Sequence, residues 1–306
     1  MGRKTKVALT VGAVGAASVA AWAASKVVAK PIPREDKEAL NFDKPVVLAY
    51  HGGHLEAPEN TLAAFSKAAE LGVHGFAVDI RLTKDEEIIV FHDEFADRTT
   101  DFSGKITDYT LSELKKADAG YRFEDEAGHY PYRGLGEKIV TLRELLEQFP
   151  HMLIAINLKD SPDTYEGSLM PSKLWGLLNE LDAEDRVAVT GSYDEQTDRF
   201  NLYAQNRVAT GAGDGEVKKA YAAFTSKLGH LYNPRADLFR VSEKLGVFPL
   251  GTENFIHFLK RLNVRVYFED VTEQDSLIKL LSIGASGFIT DRPAMVMKII
   301  QEHIGE

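Results

Sequence analysis

Residues 45 to 80 read PVVLAYHGGHLEAPENTLAAFSKAAELGVHGFAVDI, and they contain a complete strand–helix–strand pattern. Short runs of apolar, β-branched residues stand near both ends of the segment. The middle holds a helical pattern that Asn60 or Thr61 is placed to cap and that Gly72 is placed to stop. Two buried strands joined by a crossover helix are the repeating unit of a parallel sheet, so this segment predicts an α/β fold.

The same alternation continues to the end of the chain. Thr141 and Glu144 predict a capping box for one of the helices, Leu142–Phe149. Eight candidate strands lie at Val46–Tyr50, Gly75–Ile80, Glu87–His92, Met152–Leu158, Val187–Gly191, Arg207–Thr210, Val264–Glu269 and Gly287–Thr290. Eight strand–helix units over residues 45–303 predict a (β/α)8 TIM barrel, with a doubly wound open sheet as the alternative. Residues 118–139 lack periodicity, which predicts an inserted loop on the upper face of the barrel.

The first 26 residues are predicted to be a signal anchor or a signal peptide. A basic start is followed by an uncharged run of 19 residues, Val7–Ser25, which is just long enough to cross a bilayer. Ala21-Trp22-Ala23 resembles a cleavage site, and a soluble Ala-rich helix is the third alternative. The positive-inside rule places the barrel outside the cytoplasm, held at the cell membrane or, after cleavage, secreted. Residues 27–44 are predicted to be an extended, charged tether.

Composition excludes several classes of protein. The chain has 306 residues, of which 44% are hydrophobic, so it can bury a large core. It contains no Cys, which excludes disulfide scaffolds, iron–sulfur clusters and thiol nucleophiles. Residues 1–33 carry five of the 36 basic side chains and none of the 46 acidic ones. The rest of the chain is therefore strongly acidic, which predicts no nucleic-acid partner and requires local cations wherever an anionic ligand binds.

In a parallel barrel, functional side chains project from the carboxyl ends of the strands. The predicted strands place there Tyr50, His51, Asp79, His92, Asn157, Lys159, Tyr267 and Glu269. Period-two alternation puts Asn157 and Lys159 on one face of their strand, and Ala77 and Asp79 on one face of theirs. Histidines, carboxylates and a lysine that converge on one opening predict a site for a phosphate or carbonyl group.

Six short motifs carry a resemblance to a known family. In chain order they are Ala57-Pro58-Glu59-Asn60-Thr61, Leu82-Thr83-Lys84-Asp85, Phe91-His92-Asp93-Glu94, Asp97-Arg98-Thr99-Thr100, Asp118-Ala119-Gly120 and Thr290-Asp291-Arg292-Pro293. Together they resemble the glycerophosphodiester phosphodiesterase family, in order and at family spacing, from Pro45 to Ile300. The resemblance implies a barrel with an inserted loop.

The resemblance also implies an activity and a cofactor. Members of that family are metal-dependent hydrolases that cleave small glycerophosphodiesters to sn-glycerol 3-phosphate and an alcohol. Three carboxylates hold a divalent cation, Ca²⁺ or Mg²⁺, through oxygen ligands. That ion and an Arg neutralise the phosphodiester, while two His act as general acid and base.

This sequence departs from the family pattern at several of those positions. Aligned without a gap, the His-Arg pair of the family falls on Tyr50-His51; with a one-residue gap it falls on His51-Gly52. The Arg is lost in both alignments. Only Asp79, His92 and Lys159 match the pattern without qualification.

Two of the three carboxylates are also replaced, by Ala77 and Asn157, and the aromatic wall contributed by the seventh strand is Tyr267 instead of Trp. A neutral amide supplies less charge to a cation than a carboxylate does, so we expect an incomplete metal site. Glu269 lies two residues after Tyr267, on the same face of an extended strand, and offers a substitute carboxylate.

Nine side chains are thus predicted to form the site. They are His92 and His51 as catalytic groups, Asp79, Asn157 and Glu269 as metal ligands, and Lys159, Tyr50, Tyr267 and Glu59 as substrate contacts. Two functions stay open. One is a membrane-tethered glycerophosphodiester phosphodiesterase with an incomplete metal site. The other is a catalytically impaired relative that uses the same opening to bind glycerophosphate-containing lipid or cell-surface material.

Overall fold

The computed structural model describes residues 29–304, together with Trp22, Ser25, Lys26 and Val28. The predicted signal anchor or signal peptide, residues 1–26, lies outside the described residues except at three of these positions. In the part of the chain that is described, no helix has both the length and the apolar character needed to cross a membrane.

Strands and helices alternate along the described chain. The strands are β1 (Val46–Tyr50), β2 (Gly75–Leu82), β3 (Ile88–Val90), β4 (Leu153–Leu158), β5 (Val187–Gly191), β6 (Ala209–Thr210), β7 (Leu238–Val241), β8 (Lys244–Leu245), β9 (Phe248–Pro249), β10 (Arg265–Glu269) and β11 (Gly287–Thr290). The α-helices are α1 (Leu62–Glu70), α2 (Leu111–Leu114), α3 (Leu142–Gln148), α4 (Tyr165–Glu180), α5 (Asp194–Ala204), α6 (Asp214–Thr225), α7 (Glu253–Lys260), α8 (Gln274–Ser282) and α9 (Pro293–Ile304). Short 3₁₀ turns lie at Glu38–Leu40, Ala96–Arg98, Ile106–Asp108, Glu184–Arg186 and Gly229–Leu231.

Eight of the strands form a nearly closed parallel barrel. Their order around it is β6, β5, β4, β2, β1, β11, β10 and β7, and neighbours on this path pair in parallel. A single parallel bridge between Gly211 and Leu238 joins the two ends. The predicted TIM barrel is therefore confirmed, and the open doubly wound sheet is excluded.

Local signals in the sequence account for two helix starts. Thr61 is the residue that caps α1, because its hydroxyl oxygen accepts a hydrogen bond from the backbone N–H of Ala64 at 3.3 Å. Thr141 and Glu144 form the predicted capping box at the start of α3. Thr61 therefore supplies the cap for which Asn60 was the alternative.

Seven of the eight candidate strands belong to the barrel. One candidate does not, and one strand of the barrel was not among the candidates. The third candidate, Glu87–His92, forms β3, which pairs antiparallel with the end of β2 and lies off the barrel path. The missing parallel strand is β7, over Leu238–Val241. It has only four residues, and Arg240 interrupts its apolar run, so the apolar pattern alone does not reveal it.

Apolar side chains fill two regions. The larger region lies between the outer face of the barrel and its helices and includes Phe65, Phe76, Phe200, Phe239, Phe255, Phe268 and Phe288. The smaller region fills the barrel interior with Val46, Leu48, Ala77, Leu153, Ala155, Ala188, Ala209, Leu238, Tyr267 and Ile289. The small Ala side chains in the interior leave room for the ring of Tyr267. This packed layer supports the polar side chains that follow it along the strands.

The segment predicted as an extended tether, residues 27–44, packs in part against the amino-terminal end of the barrel. Ala39 and Leu40 are buried in the same apolar cluster as the barrel interior. Arg34 donates from Nε to Asp237, which directly precedes β7, at 2.7 Å. These two apolar side chains cover the amino-terminal end of the barrel. Residues 34–44 therefore belong to the folded domain and are not only a tether.

A larger insertion than predicted separates β2 from α3. Residues 83–140 include β3, α2 and the predicted loop, and they carry a small apolar core of their own: Ile89, Phe91, Ala96, Ile106, Leu114, Ala117, Ala119 and Ile139. Within the loop, residues 118–139, the guanidinium of Arg133 lies over the rings of Tyr121 and Tyr130. Since β3 pairs with the last residues of β2, the insertion stands at the carboxyl end of the barrel.

Candidate active site

Polar side chains from several strands meet at the carboxyl end of the barrel, in an opening that we call the mouth. It is formed by Tyr50 of β1, Asp79 of β2, Asn157 of β4, Lys159 just after β4, Arg240 of β7 and Glu269 of β10. The parallel register sets Asp79 directly beside Asn157. The mouth therefore lies where functional groups of such barrels are expected.

Asp79 is the centre of the mouth, and its side chain is fully buried. Its Oδ2 atom lies 2.7 Å from Nε2 of His51, and its Oδ1 atom accepts a hydrogen bond of 2.6 Å from Nδ2 of Asn157. Burial alone would raise the pKa of this carboxyl group. The hydrogen bond from His51 and the charges of His51, Arg240 and Lys159 outweigh burial and hold the pKa of Asp79 well below its usual range. Asp79 is therefore an ionised carboxylate surrounded by donors.

His51 reaches Asp79 because the chain turns sharply after β1. His51, Gly52 and Gly53 have φ values of 51°, 84° and 88°. The left-handed backbone of His51 is held by two hydrogen bonds, from its N–H to the carbonyl of Ala77 and from the N–H of Asn60 to its own carbonyl, each 2.9 Å. Such a conformation is unfavourable for a residue with a side chain, so the surrounding contacts must maintain it. The turn fixes the imidazole of His51 inside the mouth, where it is only 4% exposed as a residue.

His92 enters the mouth from the loop after β3. Its ring centroid lies 5.2 Å from that of His51. Its Nδ1 atom lies 2.6 Å from Oδ1 of Asp93, and its Nε2 atom lies 3.2 Å from Nζ of Lys159. With the proton on Nδ1, His92 donates to Asp93 and keeps the Nε2 lone pair directed at the mouth. The ammonium of Lys159 can only donate, so in this tautomer it bonds to Nε2, and the side chain as a whole is 32% exposed.

An outer pair of carboxylates supports the two histidines. Arg98 donates from both terminal nitrogens to Glu59, at 2.7 and 2.8 Å, and from Nε to Asp93. Glu59 also lies 3.8 Å from Nδ1 of His51. Burial would raise the pKa of Asp93, but the hydrogen bonds from Arg98 and His92 lower it. Glu59, predicted as a substrate contact, thus faces His51 directly and is linked to His92 through Arg98 and Asp93.

Arg240 is a charged residue of the mouth that the sequence did not predict. It projects from β7 into the mouth, donates from Nε to Glu269 and places its guanidinium carbon 5.0 Å from the ring centre of Tyr50. Burial would lower the pKa of Arg240, but the charges of Glu269 and Asp79 raise it. The guanidinium is therefore a permanent cation inside the mouth.

A signal for this residue was present in the sequence. The predicted strands at Arg207–Thr210 and Val264–Glu269 are separated by more residues than one helix and its loops require. A further strand in that interval, around Leu238–Val241, would have supplied the eighth member of the barrel and placed Arg240 at its carboxyl end.

The residues predicted as metal ligands do not fit a divalent cation. Asn157 directs its amide nitrogen, not its oxygen, at Asp79. Glu269 is paired with Arg240, whose positive charge stands next to the carboxylate that a metal ion would need. Over residues 29–304, no three His, Cys, Asp or Glu side chains are placed together to hold a metal ion. A cation introduced here would have to displace donors and approach a guanidinium.

The structure brings eight of the nine predicted site residues together. Tyr267 is the exception, because it is 1% exposed and packs in the apolar layer below the mouth. Burial raises the pKa of its hydroxyl well above the usual range. Its position assigns it to the packing of the barrel interior.

Two cavities open on the mouth, one on each side of the wall that Tyr50, Arg240 and Glu269 form. One cavity, of about 270 Å³, is lined by Asn157, Lys159, Ser192 and the start of α6. The other, of about 210 Å³, is lined by Leu55, Thr272, Asp291, Arg292 and Met295 among others. The first cavity contains both Lys159 and Arg240, so it offers two cations to an anionic group.

These groups can accept and return a proton and can hold an anion. An imidazole with one nitrogen bound to a carboxylate and the other directed at the mouth is suited to proton transfer. Arginine and lysine side chains bind phosphate oxygens through charge-assisted hydrogen bonds. The fold and the mouth thus define a TIM-barrel protein whose site can hold an anionic group, such as a phosphate, and can transfer a proton.

Comparison with known proteins narrows this class. The sequence model of the glycerophosphoryl diester phosphodiesterase family matches residues 51–295. The chain therefore belongs to that family, whose members generally use a divalent metal ion. A glycerophosphodiester phosphodiesterase of Caldanaerobacter subterraneus subsp. tengcongensis is 29% identical over 267 residues, which cover 85% of this chain and 99% of the relative. One from Bacillus altitudinis is 37% identical over 144 residues, 47% of this chain and 56% of the relative.

Solved structures share the fold. A glycerophosphoryl diester phosphodiesterase domain from Mycobacterium tuberculosis superposes with a TM-score of 0.72 at 19% identity, covering 84% of this chain and 99% of that domain. An Oleispira antarctica phosphodiesterase, solved in complex with its product sn-glycerol-3-phosphate, gives a TM-score of 0.65 at 22% identity and covers 84% of this chain and 97% of its own. At such identities the likeness establishes the barrel and no more.

Proposed function

We propose that this protein hydrolyses a glycerophosphodiester to sn-glycerol 3-phosphate and an alcohol. The observation that carries the proposal is the position of His92, whose Nε2 atom lies beside Lys159 at the mouth while Asp93 holds the other ring nitrogen. The relatives that share the family and are named for this reaction support the choice of substrate class.

Lys159 and His92 have distinct parts in this reaction. The ammonium of Lys159 holds a phosphate oxygen beside the imidazole. His92 takes a proton at Nε2 from the attacking water, the water oxygen forms a bond to phosphorus, and the bond from phosphorus to the alcohol oxygen breaks. The departing alkoxide then receives the proton from His92, which returns the ring to its neutral form.

His51 has a different role from the one predicted. Its Nε2 atom is committed to Asp79, its Nδ1 atom faces Glu59, and the side chain is only 5% exposed. We therefore assign His51 to holding Asp79 ionised and oriented. Direct proton transfer with the substrate falls to His92 alone.

The test is release of sn-glycerol 3-phosphate from glycerophosphocholine and glycerophosphoglycerol, with Ca²⁺, with Mg²⁺ and with chelator. His92→Ala is expected to lower kcat by about 10²- to 10⁴-fold, since a general acid–base group is lost. His151→Ala, at an exposed histidine just before β4 on the opposite end of the barrel, is the matched control. Equal rates for the His92 variant and the wild type would contradict the assigned role.

One observation favours the second candidate, a catalytically impaired relative that binds glycerophosphate-containing material. The pairing of Glu269 with Arg240 withdraws a carboxylate from any metal site. In that case sn-glycerol 3-phosphate binds at the mouth, yet no product appears above the His92→Ala background in any of the three conditions.

We also propose that the barrel works outside the cytoplasm, attached to the cell membrane by its amino-terminal segment. The uncharged run Val7–Ser25 and the basic residues before it support this placement. Protease added to intact spheroplasts is expected to degrade the barrel, and recovery of the protein in the soluble cytoplasmic fraction would contradict the proposal. Release of a shortened, soluble chain into the medium would indicate cleavage.

A further inference from the structure

Arg240 is the cation of the mouth that is paired with Glu269. Its Nε atom donates to Glu269, and the charge of Asp79 also acts on the guanidinium. The guanidinium also lies against the face of Tyr50, 5.0 Å from the ring centre, which is favourable for a cation. Its side chain is only 15% exposed, so it is held within the mouth and is not a mobile surface group.

Fixed cations already accompany the carboxylates of the mouth. Asp79 and Glu269 contribute two negative charges, and Arg240 and Lys159 contribute two positive ones. Lys159 lies 4.0 Å from Asp79 and 3.2 Å from His92. A divalent cation added to this set would meet two fixed positive charges in a partly buried place, where charge repulsion is poorly screened.

Both fixed cations have groups available to a ligand. An arginine side chain carries five N–H donors, and Arg240 directs the one at Nε to Glu269. Arg240 and Lys159 line the same cavity of about 270 Å³, and Ser192 adds a hydroxyl group there. A guanidinium binds two oxygens of one phosphate at once, while an ammonium binds as a point charge.

We propose that Arg240, together with Lys159, holds the phosphate group of the ligand in the role that a divalent metal ion has elsewhere in the family. Binding of a phosphate ester at the mouth therefore requires no metal ion. The identity of the ligand as a glycerophosphate ester rests on the proposed function, but the part of Arg240 in binding is independent of whether the bond is then cleaved.

The test is calorimetric titration of the purified full chain with sn-glycerol 3-phosphate, in chelator and in Ca²⁺ or Mg²⁺. The wild type is expected to bind with the same affinity, within about twofold, in all three conditions. Arg240→Gln is expected to weaken binding in chelator by about 10- to 100-fold, which is the effect of losing charged hydrogen bonds. Arg240→Lys keeps the positive charge but cannot bind two oxygens of one phosphate at once. Its affinity is expected to lie between those of the wild type and Arg240→Gln.

The matched control is Arg235→Gln, which removes another arginine paired with a carboxylate, Asp198, at the exposed surface. It is expected to bind like the wild type. Thermal unfolding of each variant establishes that it is folded, and if Arg240→Gln is not, Arg240→Lys decides the result. Loss of wild-type binding in chelator, or full affinity in the folded Arg240 variant, would overturn the proposal.

The outcome is separable from that of the proposed function. Chelator-resistant binding without product release supports the role of Arg240 and defeats the hydrolase. Product release that stops in chelator while binding persists supports both the hydrolase and the role of Arg240. Product release and binding that both stop in chelator support the hydrolase and defeat the role of Arg240. Failure of the wild type to bind sn-glycerol 3-phosphate in any condition defeats the role of Arg240 as well.

Discussion

The amide nitrogen of Asn157 lies 2.6 Å from the Oδ1 atom of Asp79 and donates a hydrogen bond to it. Asn157→Asp would replace this donor by a second carboxylate in contact with a buried one. Repulsion then favours protonation of one of the two groups, so one pKa of the pair rises. At pH 7 we expect a destabilisation of about 1–3 kcal/mol, which becomes smaller as the pH falls and a proton is taken up.

Urea unfolding at several pH values between 7 and 4 measures this effect. Asn254→Asp makes the same change of charge at an exposed position near the start of α7, and it is expected to differ little from the wild type at any pH. A pH-independent loss of stability in Asn157→Asp would contradict repulsion as the cause.

Asp79 itself predicts a characteristic acid dependence. Burial alone would raise the pKa of Asp79 above the ordinary value of 3.8. The hydrogen bond and charge of His51, together with the charges of Arg240 and Lys159, outweigh burial and lower this pKa. A group whose pKa is lowered on folding adds stability above its unfolded pKa and loses that contribution as the pH falls through the folded one. Asp79→Asn is therefore expected to cost about 3–5 kcal/mol at pH 7, because it leaves buried cations without their partner.

The difference between the wild type and Asp79→Asn should be constant from pH 7 to about pH 5 and should shrink below the ordinary pKa of 3.8. Chemical unfolding at each pH gives the two free energies. Asp43→Asn, at an exposed carboxylate before β1, is the control with no comparable loss at pH 7. A difference that grows in acid would mean that Asp79 is not stabilised as an anion.

The sequence predicts much of this arrangement for a physical reason. Buried parallel strands require apolar runs, and the carboxyl ends of such strands point to one opening, so the positions of Asp79 and Asn157 follow from pattern and period. The position of His92 follows from its motif instead, since β3 runs antiparallel and lies off the barrel path.

The partners of these groups were not predictable in the same way. Arg240 lies on a strand of four residues whose apolar pattern it breaks, and its contact with Glu269 joins β7 to the neighbouring strand β10. Tyr267 and Glu269 alternate correctly along β10, but only the packing of small Ala side chains around the interior shows that Tyr267 is buried. Pairing between neighbouring strands and packing inside the barrel decide such contacts, and a local pattern carries no information about either.

The amino-terminal cover of the barrel should contribute to stability. Leu40 is 4% exposed and lies in the apolar cluster of the barrel interior, and Arg34 is bound to Asp237. Leu40→Ala is expected to cost about 2–5 kcal/mol of unfolding free energy, as other buried leucines do. A chain that begins at residue 45 is expected to be less stable than one that begins at residue 34.

Urea unfolding of the two truncated chains measures this contribution directly. Ile32, which is 71% exposed, is the control position, and Ile32→Ala is expected to change the free energy little. If removal of residues 34–44 left the midpoint unchanged, these residues would be a tether without a structural role.

A contact between two loops of the mouth should depend on pH in the opposite sense to Asp79. Nδ1 of His54, in the loop after β1, lies 3.0 Å from Oδ1 of Asp291, which follows β11. This contact raises the pKa of His54 above 6.5, against the smaller effect of burial. A group whose pKa is raised on folding stabilises the protein below its unfolded pKa and loses that contribution as the pH rises through the folded one.

Titration of the His54 ring by NMR tests this statement. We expect a pKa above 6.5 in the wild type and a lower value in Asp291→Asn, which removes the charge but keeps the shape. The control is Asp270→Asn. Asp270 lines the same cavity of about 210 Å³ as Asp291, and its substitution should leave the titration of His54 unchanged. An unaltered His54 pKa in Asp291→Asn would show that Asp291 is not the cause.

The turn that carries His51 into the mouth requires glycine at its next position. Gly52 has a φ of 84°, and a Cβ atom there would lie 2.7 Å from Cβ of Ala64 in α1. Gly136 has a similar φ of 91°, but an added Cβ atom would meet nothing within 4 Å. Gly136→Ala therefore measures backbone strain alone, about 1–2 kcal/mol, and Gly52→Ala adds the steric conflict with α1.

We expect the Gly52 variant to be the less stable of the two by urea unfolding and to bind sn-glycerol 3-phosphate more weakly, because moving the turn moves His51 away from Asp79. Equal stability of the two variants, with unchanged binding, would show that α1 yields to the added methyl group without disturbing the mouth.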